Sequence, residues 1–210
     1  DDVEAHPEAA TVTHTPEGHR HLNYAGDYNV IGDGHVSLVA RIREMDRAGI
    51  DMQVPTLTTP GPHVEEAERG IGFAGLVNDE LAAAVISHPS RFTAMATLPM
   101  QDPDASVVEL ERAVRELGLC GAMVFSNVEG KPLWTREFWP IWDKASELDL
   151  PILIHPTTPS PIPAGMDEWW LVSVIGFCAD TSVAAAEIIF AGVMDAFANL
   201  KLILSHLGEA

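Results

Sequence analysis

After about residue 36 the apolar positions switch repeatedly between steps of three and four and short unbroken runs. Residues 36–48 read as a helix closed by Gly49, where a left-handed backbone is favoured. Residues 50–58 read as a strand, weakened by Pro55, which lacks a ladder donor. Val64, Ala67, Ile71, Ala74, Leu81 and Val85 share one helical face, and that helix stops before Pro89. Residues 91–98 predict a strand. Asp102 then caps a helix that opens on Pro103, buries Val107, Leu110, Val114 and Leu117, and closes at Gly118. Residues 119–125 read as a strand, and Thr135 caps a helix carrying Phe138, Ile141, Trp142, Ala145 and Leu148. Pro151–His155 is a short, wholly apolar strand. A long apolar helical region follows, broken near residues 176–181, and residues 200–206 form the last strand.

Apolar strands alternating with amphipathic helices imply an α/β fold whose parallel sheet is covered on its faces. Two architectures share this unit: an open doubly wound sheet, and a partial (β/α)8 TIM-type barrel. Periodicity does not choose between them. Residues 1–35 differ: they hold five of the nine histidines, seven acidic residues and one basic residue, Arg20, without an apolar period. They read as a polar loop or N-terminal extension in front of a domain spanning 36–210.

The chain has 210 residues, with 12 Lys and Arg against 31 Asp and Glu, a formal charge of −19. That excess argues against nucleic acid as a partner, because phosphate binding needs clustered positive charge. A 47% hydrophobic composition is enough for a globular core. Cys120 and Cys178 stand apart in apolar runs and read as buried thiols of a reducing compartment. With no leader-like opening, the expected location is cytoplasmic. Asp180 and Glu187 interrupt the most apolar stretch, residues 169–194, which reads as a buried helix and not as a membrane span.

In parallel α/β folds the chemistry gathers beyond the carboxyl ends of the strands. Two histidines stand there, His155 at the end of PILIH and His206 at the end of LILSH. A neutral imidazole suits zinc, manganese or iron, and a second one nearby suits acid/base work. Thr58, Thr59, Thr97, Ser126 and Asn127 also follow strands, with turn chemistry as the plain reading and Asn127 as the candidate for substrate contact. Trp169 is a candidate to cover a planar substrate, as is Trp170, although helix core or subunit contact is the commoner use. Asp180 and Thr181 read as helix caps. His19-Arg20-His21 lies in a polar segment with no strand before it and reads as a surface coincidence. His6, His14, His35 and His63 read as loop residues, and His88 as a helix end. The GxGxxG at residues 70–75 falls inside a helical pattern, so close packing explains it and no cofactor-binding residues are assigned.

Several stretches carry a resemblance. MDRAGID (45–51), HPSRF (88–92), LPMQDP (98–103), ELERA (109–113), FWPIW (138–142), IHP (154–156), DTS (180–182) and LSHLG (204–208) occur in this order. Over residues 42–208 the chain resembles the amidohydrolase-related superfamily, in the branch holding aminocarboxymuconate semialdehyde decarboxylase and γ-resorcylate decarboxylase. The resemblance implies a distorted (β/α)8 barrel with about strands 2 to 6 present. It also implies one divalent metal, zinc by preference with manganese the alternative. His155 takes the place of a metal ligand and His206 that of the catalytic acid/base. The family's opening HxH strand and its aspartate after the eighth strand have no counterpart here, so the remaining ligands are expected outside this chain. Gly208 is followed by Glu209 where a second glycine is common.

The expected function is a metal-dependent amidohydrolase-type enzyme, a nonoxidative decarboxylase or a hydrolase, acting on a small carboxylic acid, with a homodimer of the parent as its assembly. Two alternatives stand beside it: a catalytically incomplete fragment, and an open-sheet, flavodoxin-like binding domain.

Overall fold

The computed structural model describes residues 11–16, 18, 20–24, 27–157, 165–166 and 168–206. Strands β1 (Thr11–His14), β2 (Arg20–Tyr24) and β3 (Asp27–Ile31) form an antiparallel sheet in that order. The loop expected over this stretch is corrected accordingly. Backbone pairing joins these strands, and β1 is mostly exposed, so the polar segment shows no apolar alternation that would announce it.

A short helix α1 (Asp33–Val36) leads into α2 (Leu38–Ala48), whose Ser37 hydroxyl accepts the Ala40 N–H at 3.3 Å and whose end is turned by Gly49 at φ 68°. The strand expected at 50–58 is reduced to a parallel bridge between Gln53 and Phe92. Beyond it the Pro55 carbonyl still accepts Met95 N–H at 3.2 Å, but proline has no hydrogen to return.

Helix α3 (Ala67–Ser87) buries Gly70, Ala74, Asn78, Ala82 and Ala84, a face rotated from the expected one and leaving Ile71 exposed. Asn78 explains the rotation. Its Nδ2 donates to the Thr97 carbonyl at 2.9 Å while its Oδ1 accepts the Thr97 N–H at 2.8 Å, so one amide side chain serves both backbone groups of a strand residue. A Cβ at Gly70 would collide with the Gln101 side chain, so packing explains that glycine of the GxGxxG, but a Cβ at Gly72 would meet nothing within 4 Å and one at Gly75 only Arg112 at 3.9 Å, so packing does not account for those two.

The central sheet takes up β4 (Ala96–Thr97), β5 (Ala122–Phe125), β8 (Pro151–His155) and β9 (Lys201–Leu204), joined in that order and all parallel. Between β5 and β8 lies a small hairpin of β6 (Asn127–Val128) and β7 (Lys131–Pro132). Each sheet strand therefore neighbours the next in sequence. A flavodoxin-like order would place a later strand on the far side of the first, and that reversal is absent among the described strands.

Helices α4 (Pro103–Arg115) and α5 (Trp139–Glu147) cover the sheet, and the core gathers Leu98, Leu110, Val124, Phe138, Ile141, Trp142, Ile152 and Ile154. Asp102 caps α4 as expected, accepting Ala105 N–H at 2.9 Å. Thr135 instead precedes a single 3-10 turn and gives its hydroxyl to the Pro132 carbonyl. The long apolar region opens with a π-helical turn at Val172–Gly176 and continues as α6 (Phe177–Phe190), followed by α7 (Val193–Ala196). The buried helix expected here is buried on one side only: Thr181, Ala184, Ala185 and Ile188 face in, while Val183, Ile189 and Phe190 are exposed. By length and composition both α3 and Val172–Phe190 are apolar enough to cross a membrane. Each nevertheless commits a polar side chain, Asn78 or Asp180, to backbone of the packed sheet region, as core helices do.

Candidate active site

Strands β8 and β9 run side by side, and register pairs Ile154 with Leu204. That register places His155 at the end of one strand and His206 just past the other. Their rings meet edge to face, with centroids 5.6 Å apart and planes at 63°. The two histidines singled out from the sequence thus converge at one rim.

The environments of the two rings differ. Nδ1 of His155 lies 2.9 Å from the Pro156 carbonyl. A carbonyl oxygen accepts only, so Nδ1 carries the hydrogen and Nε2 keeps the lone pair when the ring is neutral. Burial pushes the His155 pKa down, against the raising effect of that carbonyl, and the neighbouring His206 adds a further lowering. His206 is exposed, adopts φ 56°, and sits 3.2 Å from the Ser205 hydroxyl through Nδ1. Phe177, at the start of α6, stacks on it at 6.5 Å and 18°.

Aromatic and polar side chains line this rim. Phe125, the last residue of β5, meets His155 edge-on at 5.8 Å and His63 at 4.1 Å. His63, expected as a loop residue, is only 6% exposed, and burial pushes its pKa down to about 4. A Cβ at Gly61 would strike both Phe125 and His63, so glycine is what lets the loop pass so close. Asn127 donates to Thr157 Oγ1 at 2.7 Å and accepts Gly130 N–H at 3.0 Å. Its amide is thereby engaged on both sides by the protein. Trp169 is 81% exposed, and the ring contacts made by His155 and His206 among the described residues involve Phe125 and Phe177 instead. Of the four residues singled out from the sequence, the structure gathers His155 and His206, leaves Asn127 at the start of the adjoining β6–β7 hairpin, and leaves Trp169 exposed. His19 and residues 207–210 lie outside the described residues. Neither Cys120 nor Cys178 is in a disulfide among the described residues, and each is half-buried and not buried as expected.

A cleft of about 630 Å³ lies elsewhere, beside α2 and α3, lined in part by His35, Arg41, Leu76 and Glu80; neither rim histidine borders it. Among the described residues no three His, Cys, Asp or Glu side chains gather into a metal-holding group. His155, neutral and with Nε2 free of the Pro156 bond, suits a metal as one ligand of a set that the described residues do not complete.

A parallel sheet in sequential order with paired imidazoles at its carboxyl rim defines the class: an α/β protein built for chemistry at its strand ends. The chain belongs to the amidohydrolase family, whose model matches residues 13–210. It is 38% identical over 197 residues to "Decarboxylase orsB" of Emericella nidulans, covering 85% of this chain and 54% of that protein. It is 37% identical over 179 residues to the γ-resorcylate decarboxylase of a Polaromonas species, covering 80% and 55%. Among solved structures, a 5-carboxyvanillate decarboxylase from Novosphingobium aromaticivorans, with bound manganese and 3-methoxy-4-hydroxy-5-nitrobenzoic acid, superposes with a TM-score of 0.78 at 35% identity, over 81% of this chain and 50% of that one. The resemblance read from the motifs is therefore borne out. The chain spans about half the length of these relatives.

Proposed function

We propose that this chain carries the acid/base residue and one metal ligand of a divalent-metal-dependent, nonoxidative decarboxylase of small aromatic carboxylic acids. In this reading residues 36–210 are a segment of a (β/α)8 barrel, and residues 11–31 form a small sheet appended to it. The observation that carries the reading is the unequal pair at the rim. His155 is half-buried, favoured neutral and pinned through Nδ1, whereas His206, with its ring 5.6 Å away, is exposed to solvent. The relatives' names favour decarboxylation over hydrolysis, and the manganese of the carboxyvanillate enzyme favours manganese over the zinc expected from sequence.

His155 would hold the metal through Nε2. When bound, the metal supplies positive charge that orients substrate oxygens and stabilises the charge developing as the carbon–carbon bond weakens. His206, as imidazolium, delivers its proton to the ring carbon that bears the carboxylate. A ring π pair forms the new C–H bond at that carbon; the C–COO⁻ bond then breaks, its electron pair restores the ring π system, and carbon dioxide leaves, so a C–H bond replaces a C–C bond. Phe125 packs edge-on against His155, and Phe177 stacks on His206. In the complete protein supplied with manganese and 2,6-dihydroxybenzoate, His206→Gln is expected to lower kcat by about 10²–10⁴-fold while manganese stays bound. Full turnover in that variant would end the acid/base assignment.

A further inference from the structure

Helix α6 reaches both histidines from its first turn. Phe177 stacks on His206, and three residues on, Asp180 Oδ2 accepts the Thr157 N–H at 3.0 Å. The sequence suggested a helix cap for Asp180, but its recorded partner lies 23 residues away on the segment that follows β8. That N–H belongs to the peptide unit between Pro156 and Thr157, and the carbonyl of the same unit is the one bonded to His155 Nδ1. One flat peptide thus lies between a carboxylate and an imidazole, in the order Asp180 Oδ2, H–N, C=O, H–Nδ1 of His155.

We propose that Asp180 is a positioning residue for His155: through the Pro156–Thr157 peptide it holds the imidazole in place and selects the Nδ1–H tautomer, leaving the Nε2 lone pair facing away from the peptide. The amide is conjugated and planar, so its two ends are not independent. An anionic acceptor on the N–H draws the amide toward its charge-separated form and makes the carbonyl oxygen a stronger acceptor. Linked hydrogen bonds polarise one another by roughly 10–30% per bond. Without that pull the Nδ1–H form loses its advantage, since a free histidine side chain in water favours hydrogen on Nε2. Ser126 Oγ shares the Thr157 N–H at 3.2 Å and Asn127 Nδ2 binds Thr157 Oγ1 at 2.7 Å, so the segment just after β5 steadies the same residue with neutral groups. Asp180 adds the charge. A ligand histidine fixed by a carboxylate is a common way to orient a metal site, and here the link runs through the backbone.

The metal consequence rests on the reading of His155 as a ligand, and the test separates the two. Long-range proton–nitrogen correlation of the imidazoles in the metal-free complete protein, at a pH where His155 is neutral, reads its tautomer, with His155→Ala for assignment. Manganese affinity is read by electron paramagnetic resonance. Wild type is expected to be Nδ1–H. Asp180→Asn, which keeps an accepting oxygen but loses the charge, is expected to fall between wild type and Asp180→Leu, and Asp180→Leu is expected to shift furthest toward Nε2–H and to weaken manganese binding by about 10–100-fold. Nε2–H in the wild type, which needs no variant at all, overturns the proposal. So does an Asp180→Leu protein that keeps both the Nδ1–H tautomer and full manganese affinity. If the tautomer follows Asp180 while His155→Ala binds manganese as tightly as wild type, the positioning role stands and the ligand role falls.

Discussion

Two imidazoles lean on the same ring, Phe125, and burial lowers the pKa of both. His63, on the loop after the second strand position, has a buried Nδ1 with no hydrogen-bond partner among the described residues. His155 has its Nδ1 tied to a peptide whose N–H is itself held by Asp180 and Ser126. Burial alone makes an imidazole neutral. Burial together with an oriented bond on one nitrogen leaves a lone pair of known direction on the other, which a metal can use. His63 is therefore packing, and His155 is the half of the comparison that can do chemistry.

The comparison breaks most sharply on metal. In the complete protein His155→Ala is expected to weaken manganese binding by more than about 100-fold, and His63→Phe to leave it within about twofold. Titration of bound manganese checks both, and equal losses would erase the distinction drawn between the two rings.

Next in size is acid stability. The folded-state pKa of His63 is depressed from 6.5 to about 4, so between those values the unfolded chain takes up a proton that the native chain refuses. Stability is fully present above about pH 6.5 and falls as pH drops toward 4, by about 3 kcal/mol at the bottom of that window. Denaturant midpoints measured across it should slope downward with acid. His63→Phe should remove most of the slope, leaving the smaller part that the lowered pKa of His155 contributes. An unchanged slope in His63→Phe would show that His63 is hydrated in solution.

Gly61→Ala drives a methyl into both Phe125 and His63 and is expected to destabilise by about 1–3 kcal/mol, read as a lower Tm. Smallest of the set, Thr157→Val deletes the acceptor of Asn127 but keeps the backbone N–H for Asp180. A loss of about 1 kcal/mol with manganese affinity intact is expected, which would separate the side-chain clamp from the peptide link.

Much of the rim was legible because strand-end histidines in a β/α rhythm have a restricted set of places to go. What escaped reading was whatever depends on a partner far along the chain. Asp180 looked like a cap because acidic residues in a first helical turn usually are, and its bond to Thr157 spans 23 residues. Asn78 has no place in the apolar face read from the sequence, and it is buried at the centre of the observed face because Thr97 supplies both a donor and an acceptor. His63 looked like a loop residue because nothing nearby in sequence announces Phe125. The strands at residues 11–31 were missed because backbone pairing holds them together while β1 stays mostly exposed, so its polar sequence carries no apolar alternation.

From the chain alone came the parallel α/β alternation, the caps at Asp102 and Gly49, the family, and the two histidines, all consequences of local period, backbone preference and ordered motifs. Strand order, the separation of 5.6 Å between the rings, the unequal burial of His155 and His206 and the carboxylate behind the peptide belong to the tertiary structure. The physical reason is distance along the chain. Hydrogen bonds and ring contacts between residues tens of positions apart leave no periodic trace, because they are selected by the packing of whole elements and not by the spacing of neighbours.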